Sequence, residues 1–184
     1  MVTHPISQAT SAWVLDPTHS SIEFAVRHLV ISTVKGHFRK YDVALDFDSE
    51  QPERSRVEAR IEVASIDTRE SQRDAHLRSA DFFDAERHPY LTFTSTRMEP
   101  RGDGRYNVAG DLTIRGVTRA VTLEATLEGR VKDPWGKQRV GISLEGALSR
   151  KEFGLTWNAV LETGGVAVGD AVKIAINAEL VQQA

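Results

Sequence analysis

Residues 20–28, SSIEFAVRH, carry an apolar side chain at every second position, at Ile22, Phe24 and Val26. The positions between them hold charged or small residues. A period of two is typical of a β-strand that buries one face and exposes the other to water. The stretch therefore predicts a half-buried strand.

The same alternation recurs along the chain, and turn-like segments such as RGDG at 101–104 separate the repeats. Turns this short join antiparallel neighbours, so the pattern predicts an all-β, antiparallel, up-and-down barrel of about eight strands. The predicted strands are 13–15, 20–28, 36–48, 56–66, 90–98, 105–114, 119–132, 139–149 and 172–181.

Other segments interrupt the strand pattern. Residues 29–35 break the alternation and predict a loop, and residues 163–169 predict a glycine-rich loop. Residues 69–80 are rich in helix formers, and Ser71 followed by Asp74 resembles a capping box. We expect one short helix near a barrel end, and a brief helical turn at 151–155.

Several predicted strands carry a small residue among the bulky aliphatic ones. A glycine within a strand also marks a bulge or a sharp bend, and for any single glycine that alternative is equally good. Because an unfilled core costs stability, the recurrence across five strands favours a hollow barrel that holds an apolar ligand. These small residues are Ala59, Gly110, Ala125, Gly129, Gly146 and Ala178.

Composition limits the classes of function. The chain has 184 residues, a formal charge of -3 and no cysteine, so one domain without disulfides is expected, and no basic stripe for nucleic acid is present. Residues 1–12 predict a disordered tail and residues 13–184 the barrel domain. No signal-peptide pattern or membrane-length apolar run occurs, which predicts a cytoplasmic protein without stable membrane insertion.

Motifs for catalysis or metal binding are missing from the sequence. None of the six histidines forms an H-x-H or H-E-x-x-H pair, and no G-x-S-x-G elbow occurs. The apolar phase of the strands offers few polar groups beyond His28, Ser65 and Ser95. We therefore expect no catalytic residue, no metal and no cofactor other than a bound lipid.

Five blocks of sequence carry a family resemblance: residues 16–28, 75–95, 112–118, 150–155 and 168–176. With this order and spacing the chain resembles the YceI family. The resemblance implies a lipocalin-like barrel that binds polyisoprenoid chains or similar long amphiphiles, and it implies a homodimer.

The predicted function is non-enzymatic binding, storage or transport of such a lipid, with a polyprenyl lipid, a quinone or a fatty amide as ligand. The predicted apolar lining consists of Ile22, Phe24, Val26, Leu45, Phe47, Val57, Ile61, Phe93, Val108, Leu112, Val121, Leu123, Ile142, Leu144, Ile174 and Ile176. The predicted polar mouth, which would hold a head group, consists of His28, His76, Arg150 and Trp157.

Two alternatives remain open on the sequence. A lipid-modifying isomerase or cyclase would need a polar group deep in the barrel, whereas a structural or interaction barrel would have a solid core and an exposed apolar patch. If the small residues keep the lumen open, leucine at Gly110 or Gly146 should block lipid uptake and leave the fold intact.

Overall fold

A computed structural model of the chain describes residues 13–162 and 164–183, so the tail predicted at 1–12 lies outside the described residues. Eleven strands form one antiparallel sheet. The strands are β1 (Trp13–Leu15), β2 (Ser21–His28), β3 (Ser32–Phe38), β4 (Tyr41–Asp46), β5 (Arg56–Glu62), β6 (Ile66–Asp67), β7 (Tyr90–Gly102), β8 (Arg105–Ile114), β9 (Val117–Lys132), β10 (Gln138–Ser149) and β11 (Val168–Gln182).

Bent strands close this sheet into a ring. β3 pairs with β2 and β6, while β4, which follows β3 after two residues, pairs with β5. The Arg39 amide donates to the Ser65 carbonyl at 3.2 Å and the Glu62 amide to the Lys40 carbonyl at 3.0 Å, so hydrogen bonding continues across the bend. β1 and β2 both pair with β11. With β1–β2, β3–β4 and β5–β6 counted as bent single strands, the predicted eight-stranded up-and-down barrel is confirmed.

The loop predicted at 29–35 is wrong, because a tight turn leads directly into β3. Leu29 and Val30 form this turn with left-handed φ angles of 51° and 64°. Such angles cost an L-residue about 1–2 kcal/mol and are usually left to Gly or Asn. The turn therefore contains neither Gly nor Asn, the residues by which a turn of this kind is predicted from sequence. The single strand predicted at 36–48 is also wrong, since it breaks at Arg39 and Lys40.

The predicted helix is present as α1 (Ser71–Arg78), but its cap differs from the prediction. Glu70, not Ser71, is the N-cap, and its carboxylate accepts from the amides of Gln72 and Arg73. Asp74 is buried and accepts from the amide and hydroxyl of Thr68 at 2.9 and 2.6 Å. It therefore ties the helix to the segment after β6, which a capping box would not do.

A 3₁₀ helix at Arg150–Phe153 matches the brief helical turn expected at 151–155. The glycine-rich loop ends before Val168, where β11 begins. Within the described ranges, α1 is too short and too polar to cross a bilayer, and no other helix is long enough to do so.

Two apolar clusters fill the two ends of the barrel. We call the end at which β2 stops and β7 begins the helix end, because α1 and the 3₁₀ helix Arg150–Phe153 lie there. Its cluster includes Phe82 and Phe153, and the cluster at the opposite end includes Trp13 and Phe47. The middle of the barrel belongs to neither cluster.

Candidate ligand-binding cavity

A cavity of about 310 Å³ lies inside the barrel between the two clusters, and its wall is almost entirely apolar. This volume is at the lower end of the range of small-molecule sites. All sixteen residues predicted as lining contribute to the wall. The period-two pattern therefore placed these side chains on the correct face, and their contact with a ligand stays a prediction.

The inward side chains show that the barrel is not filled. Ile174 and Ile176 on β11 point to the cavity, yet both are only half-buried, as is Ile22 on the neighbouring β2. Only five of the sixteen predicted residues are fully buried: Phe47, Ile61, Val108, Leu112 and Leu123. Aliphatic side chains inside a closed sheet stay accessible only where space adjoins them, so the middle of the barrel is hollow.

Sequence reasoning missed part of the wall. Val43, Leu91 and Leu148 share the inward phase of their strands and could have been included. Phe82 and Phe83 follow α1, where no strand periodicity exists, and only their aromatic character marked them. These rings belong to the segment that covers the helix end.

The small residues have two different roles. Ala59, Ala125 and Ala178 lie on the cavity wall, as expected for residues that leave space. Gly110 does not: a Cβ there would lie 2.4 Å from the Phe93 ring and 2.6 Å from the Thr94 carbonyl oxygen. The absent side chain at Gly110 thus makes room for a ring of the protein itself.

The same holds at Gly146, where a Cβ would lie 2.5 Å from the Leu123 side chain. The contacts at Gly110 and Gly146 argue against the expectation that leucine there leaves the fold intact, because neighbouring atoms already occupy the space beside both glycines. The effect of leucine on the fold and on lipid uptake stays a prediction. Gly129 is exposed, because a register shift opposite Ile142 inserts an extra residue into β9 and reverses its phase.

Arg150 lies on the cavity wall, but its guanidinium donates hydrogen bonds to backbone carbonyls. Nε donates to the Gly169 carbonyl at 2.9 Å, and Nη1 donates to the carbonyls of Leu155 and Trp157 at 2.6 and 2.9 Å. Nη2 donates to the Val168 carbonyl at 3.3 Å. Burial lowers the pKa of this guanidinium. Four of its five N–H groups are thus used to hold two segments together.

The other predicted mouth residues gather at the same end. His76 packs edge-on against Trp157 with ring centroids 4.7 Å apart, and its Nε2 lies 2.9 Å from Asp81 Oδ2. His28 ends β2 and pairs with Val168 of β11. The structure brings the four residues to the helix end, but only Arg150 is part of the wall.

A charged cluster lies at the opposite end. Asp16, His19 and Glu179 are the one group in the described ranges whose ligand atoms would suit a metal, lying within 4.8 Å of one another. Arg139 donates to the carboxylates of Asp16, Glu179 and Asp133 and supplies the positive charge itself. Hydrogen bonds from Thr18, His19 and Arg139 hold the pKa of Asp16 well below its usual range. The cluster is a salt-bridge network that fixes the corner between β1 and β2.

Ser65 and Ser95, the inward serines of the sequence analysis, also form hydrogen bonds with backbone groups. The Ser95 hydroxyl accepts from the Val57 amide at 2.9 Å, and the Ser65 hydroxyl donates to the Glu62 carbonyl at 2.7 Å. Neither residue contributes to the cavity wall. Both hydroxyls therefore bond to the backbone of neighbouring segments instead of lining the cavity.

An eight-stranded antiparallel barrel around an apolar cavity defines the lipocalin-like class of folds. Residues 13–180 match the family model of the YceI-like domain, and the chain belongs to this family.

Relatives agree with this assignment. Protein YceI of Escherichia coli O157:H7 is 42% identical over 137 residues, which cover 74% of this chain and 71% of that protein. The crystal structure of the Campylobacter jejuni YCEI protein is 33% identical, with a TM-score of 0.75 over 86% of this chain and 90% of that one. A polyisoprenoid binding domain from Saccharophagus degradans has a TM-score of 0.65 at 14% identity, covering 95% of this chain and 100% of that one. At this identity the match shows the fold alone.

Proposed function

We propose that the barrel binds one long-chain isoprenoid, or a similarly slender amphiphilic lipid, with the hydrocarbon chain in the central cavity and without chemical change. The hollow, almost wholly apolar lumen is the observation that carries this proposal. The S. degradans domain of the same fold is described as polyisoprenoid binding, which supports this class of ligand.

Hydrophobic transfer supplies the affinity in this proposal. Moving a methylene group from water into an apolar site is favourable by about 0.8 kcal/mol, so affinity should rise with chain length until the cavity is full. The exposed surface of the wall is almost entirely apolar, so in this proposal the shape of the cavity selects slender chains. Polyprenyl, quinone and fatty amide ligands share such a chain.

The head group is proposed to stay at the helix end, near His28, His76 and Trp157. The Arg150 guanidinium has one N–H left after its bonds to carbonyl groups and contributes mainly by holding this end together. Storage or transport of the lipid belongs to the same proposal. The cytoplasmic location and the homodimer stay predictions from the sequence.

A pair of alanine variants tests the proposal. Ala178 of β11 lies on the cavity wall, whereas Ala147 of the neighbouring β10 is exposed on the outer face. Each is replaced by Phe, and uptake of labelled isoprenoid alcohols of increasing length is measured by co-elution with the protein. We expect Ala178→Phe to lower uptake at least tenfold and Ala147→Phe to leave it unchanged.

Equal uptake by both variants would show that the ligand lies outside the lumen, and no uptake by the wild type would favour a barrel without ligand. Recovered alcohol that had changed chemically would instead support the isomerase or cyclase alternative.

A further inference from the structure

Exposed aliphatic side chains concentrate at one place on the surface. Of the eight large hydrophobic residues exposed in the described ranges, four lie together at the helix end. They are Val30, Ile31, Val160 and Val166, with exposed fractions of 68%, 81%, 85% and 42%. We call these four residues the apolar lip.

The lip is one surface although it comes from two segments. The Leu29 amide donates to the Ala167 carbonyl at 2.9 Å, and the Ala167 amide donates to the Ala159 carbonyl at 2.9 Å. Val160 and Val166 form a bridge within the second segment. The turn between β2 and β3 and this bridged segment therefore lie side by side.

The turn of the lip keeps bulky residues at a conformational cost. The Ile31 amide donates to the His28 carbonyl at 3.2 Å and closes a β-turn whose central residues are Leu29 and Val30, both with positive φ. A turn with positive φ at both central positions favours Asn-Gly. A β-branched residue with positive φ is a clear outlier, and such strain clusters at functional sites. Because Val30 and Ile31 are exposed, the fold itself gains little from their side chains.

Positive charges lie on the outer face of the barrel directly below the lip. Ala25 of β2 pairs with Lys35 of β3 on one side and with Lys173 of β11 on the other, and Arg27 is the next outward residue on β2. Within the described ranges no ion pair engages these three cations. Arg27 donates to the Thr33 hydroxyl and to the Val30 carbonyl.

Acidic residues also lie close to the same surface. Asp170 is half-buried and its carboxylate accepts from the Ser149 hydroxyl at 2.9 and 2.8 Å, so it faces the barrel rather than the lip. Glu162 is exposed between Val160 and Val166. Glu23 and Glu145 are exposed on the outer face further from the lip, where both pair with Ala175 of β11. The surface thus combines an aliphatic tip, three cations below it, the exposed carboxylate of Glu162 in the tip, and two carboxylates beyond the cations.

The cavity reaches the base of the lip. Val26 and Val168 contribute to its wall, and Val168 pairs with His28 next to the turn. A lipid that left the lumen at this end would therefore pass the exposed aliphatic side chains.

From these observations we infer that the apolar lip docks on an anionic lipid bilayer, with the aliphatic side chains at the acyl boundary and Arg27, Lys35 and Lys173 at the head groups. The inference rests on the proposed function, since a water-insoluble guest must pass between bilayer and lumen. Four side chains provide a few hundred Å² of apolar surface, less than the roughly 800 Å² that each partner of a stable dimer buries. An interfacial anchor that combines apolar contact with basic residues needs no larger area.

A double substitution in the turn separates docking from folding. L29N/V30G removes Val30 of the lip and the half-buried Leu29 next to it, and it supplies the residues that this turn prefers, so its melting temperature should stay close to that of the wild type. Sedimentation with vesicles of phosphatidylcholine and phosphatidylglycerol should show at least tenfold weaker binding than for the wild type. The double variant K35Q/K173Q tests the cations. It should bind vesicles that contain phosphatidylglycerol no more tightly than it binds pure phosphatidylcholine vesicles.

Trp135→Ser provides the matched control, because Trp135 is also exposed but lies on the turn between β9 and β10 at the opposite end. It should bind vesicles as the wild type does. Unchanged binding by L29N/V30G, absent binding by the wild type, or loss of binding only in Trp135→Ser would each overturn the inference. A wild-type dimer that L29N/V30G converts to monomer would overturn it too, by assigning the lip to a second copy.

Failure of the docking inference is distinguishable from failure of the proposed function. A wild type that takes up isoprenoid alcohol from dilute ethanol but ignores vesicles keeps its cavity function and loses the docking surface. A wild type that binds vesicles but takes up no alcohol keeps the docking surface and loses the proposed cavity function.

Discussion

At the scale of single residues, the interior glycines are determined by their neighbours rather than by the lumen. Gly36 accommodates the Phe24 ring in the same way as Gly110 accommodates Phe93, with a Cβ at Gly36 lying 2.4 Å from the ring. The sequence shows that a small residue stands on the inward phase, but not which side chain of the adjacent strand occupies the space. Alanine and glycine at equivalent positions therefore have different roles, which alternation alone could not distinguish.

Alanine substitutions should rank these sites by what the new Cβ meets. Gly110→Ala meets a backbone carbonyl as well as a ring and should lower the free energy of unfolding most, by about 2–3 kcal/mol. Gly36→Ala meets side chains only and should cost less, and Gly146→Ala meets a flexible leucine tip and should cost least. Urea denaturation measures all three.

Gly141→Ala is the control for this series, because its Cβ would meet only Glu128 at an ordinary 3.5 Å. It should be neutral or should stabilise the protein by up to about 1 kcal/mol, since alanine restricts the unfolded chain. A cost at Gly141 as large as that at Gly110 would show that the close contacts do not determine the ranking.

At the scale of elements, β1, β2, β5 and β7 through β11 were predicted by period-two alternation, with ends shifted by a few residues. The single strand predicted at 56–66 is wrong, because a 3₁₀ turn at Val63–Ser65 separates β5 from β6. Residues 32–35 of β3 were missed because the turn at Leu29 and Val30 contains no Gly or Asn, and the helix cap was misassigned because Asp74 accepts from Thr68. Both cases depend on contacts beyond the local segment. The lining could be predicted because alternation fixes the inward face, whereas the engagement of Arg150 with four carbonyls depends on how the chain folds back at 155–169.

The corner between β1 and β2 should be sensitive to acid through Arg139. Hydrogen bonds lower the pKa of Asp16 and of Asp133 below the usual value of about 4, so their contribution to stability is present above that pH and is lost as pH falls towards the lowered values. Arg139→Met leaves these carboxylates uncompensated. The gap in unfolding free energy between the wild type and Arg139→Met should therefore be widest near neutral pH and narrow below about pH 4.

Arg119→Met is the comparison for this experiment, because Arg119 is exposed on β9. Among the residues that the structure describes, its guanidinium donates only to the neighbouring Thr118 carbonyl, at 3.0 Å. Its gap from the wild type should be small and independent of pH. A gap for Arg139→Met that stayed constant from pH 7 to acid would contradict the role given to the network.

At the scale of the whole molecule, the barrel is filled at both ends and hollow between them. The clusters at the two ends supply the buried apolar contacts, so the fold persists without a filled centre. Because a ligand that binds only the folded chain stabilises it, a guest at a hundred times its dissociation constant would add about 2.7 kcal/mol. The lumen, its closed ends and the lip at one of them thus belong to one account of a lipid-binding barrel.

Native mass spectrometry of freshly purified protein shows whether the lumen holds a lipid. We predict that the wild type and Ala147→Phe carry the added mass of one long-chain lipid and that Ala178→Phe is recovered without it. A wild type that shows only its bare mass, both as purified and after incubation with a polyprenol, would contradict the account.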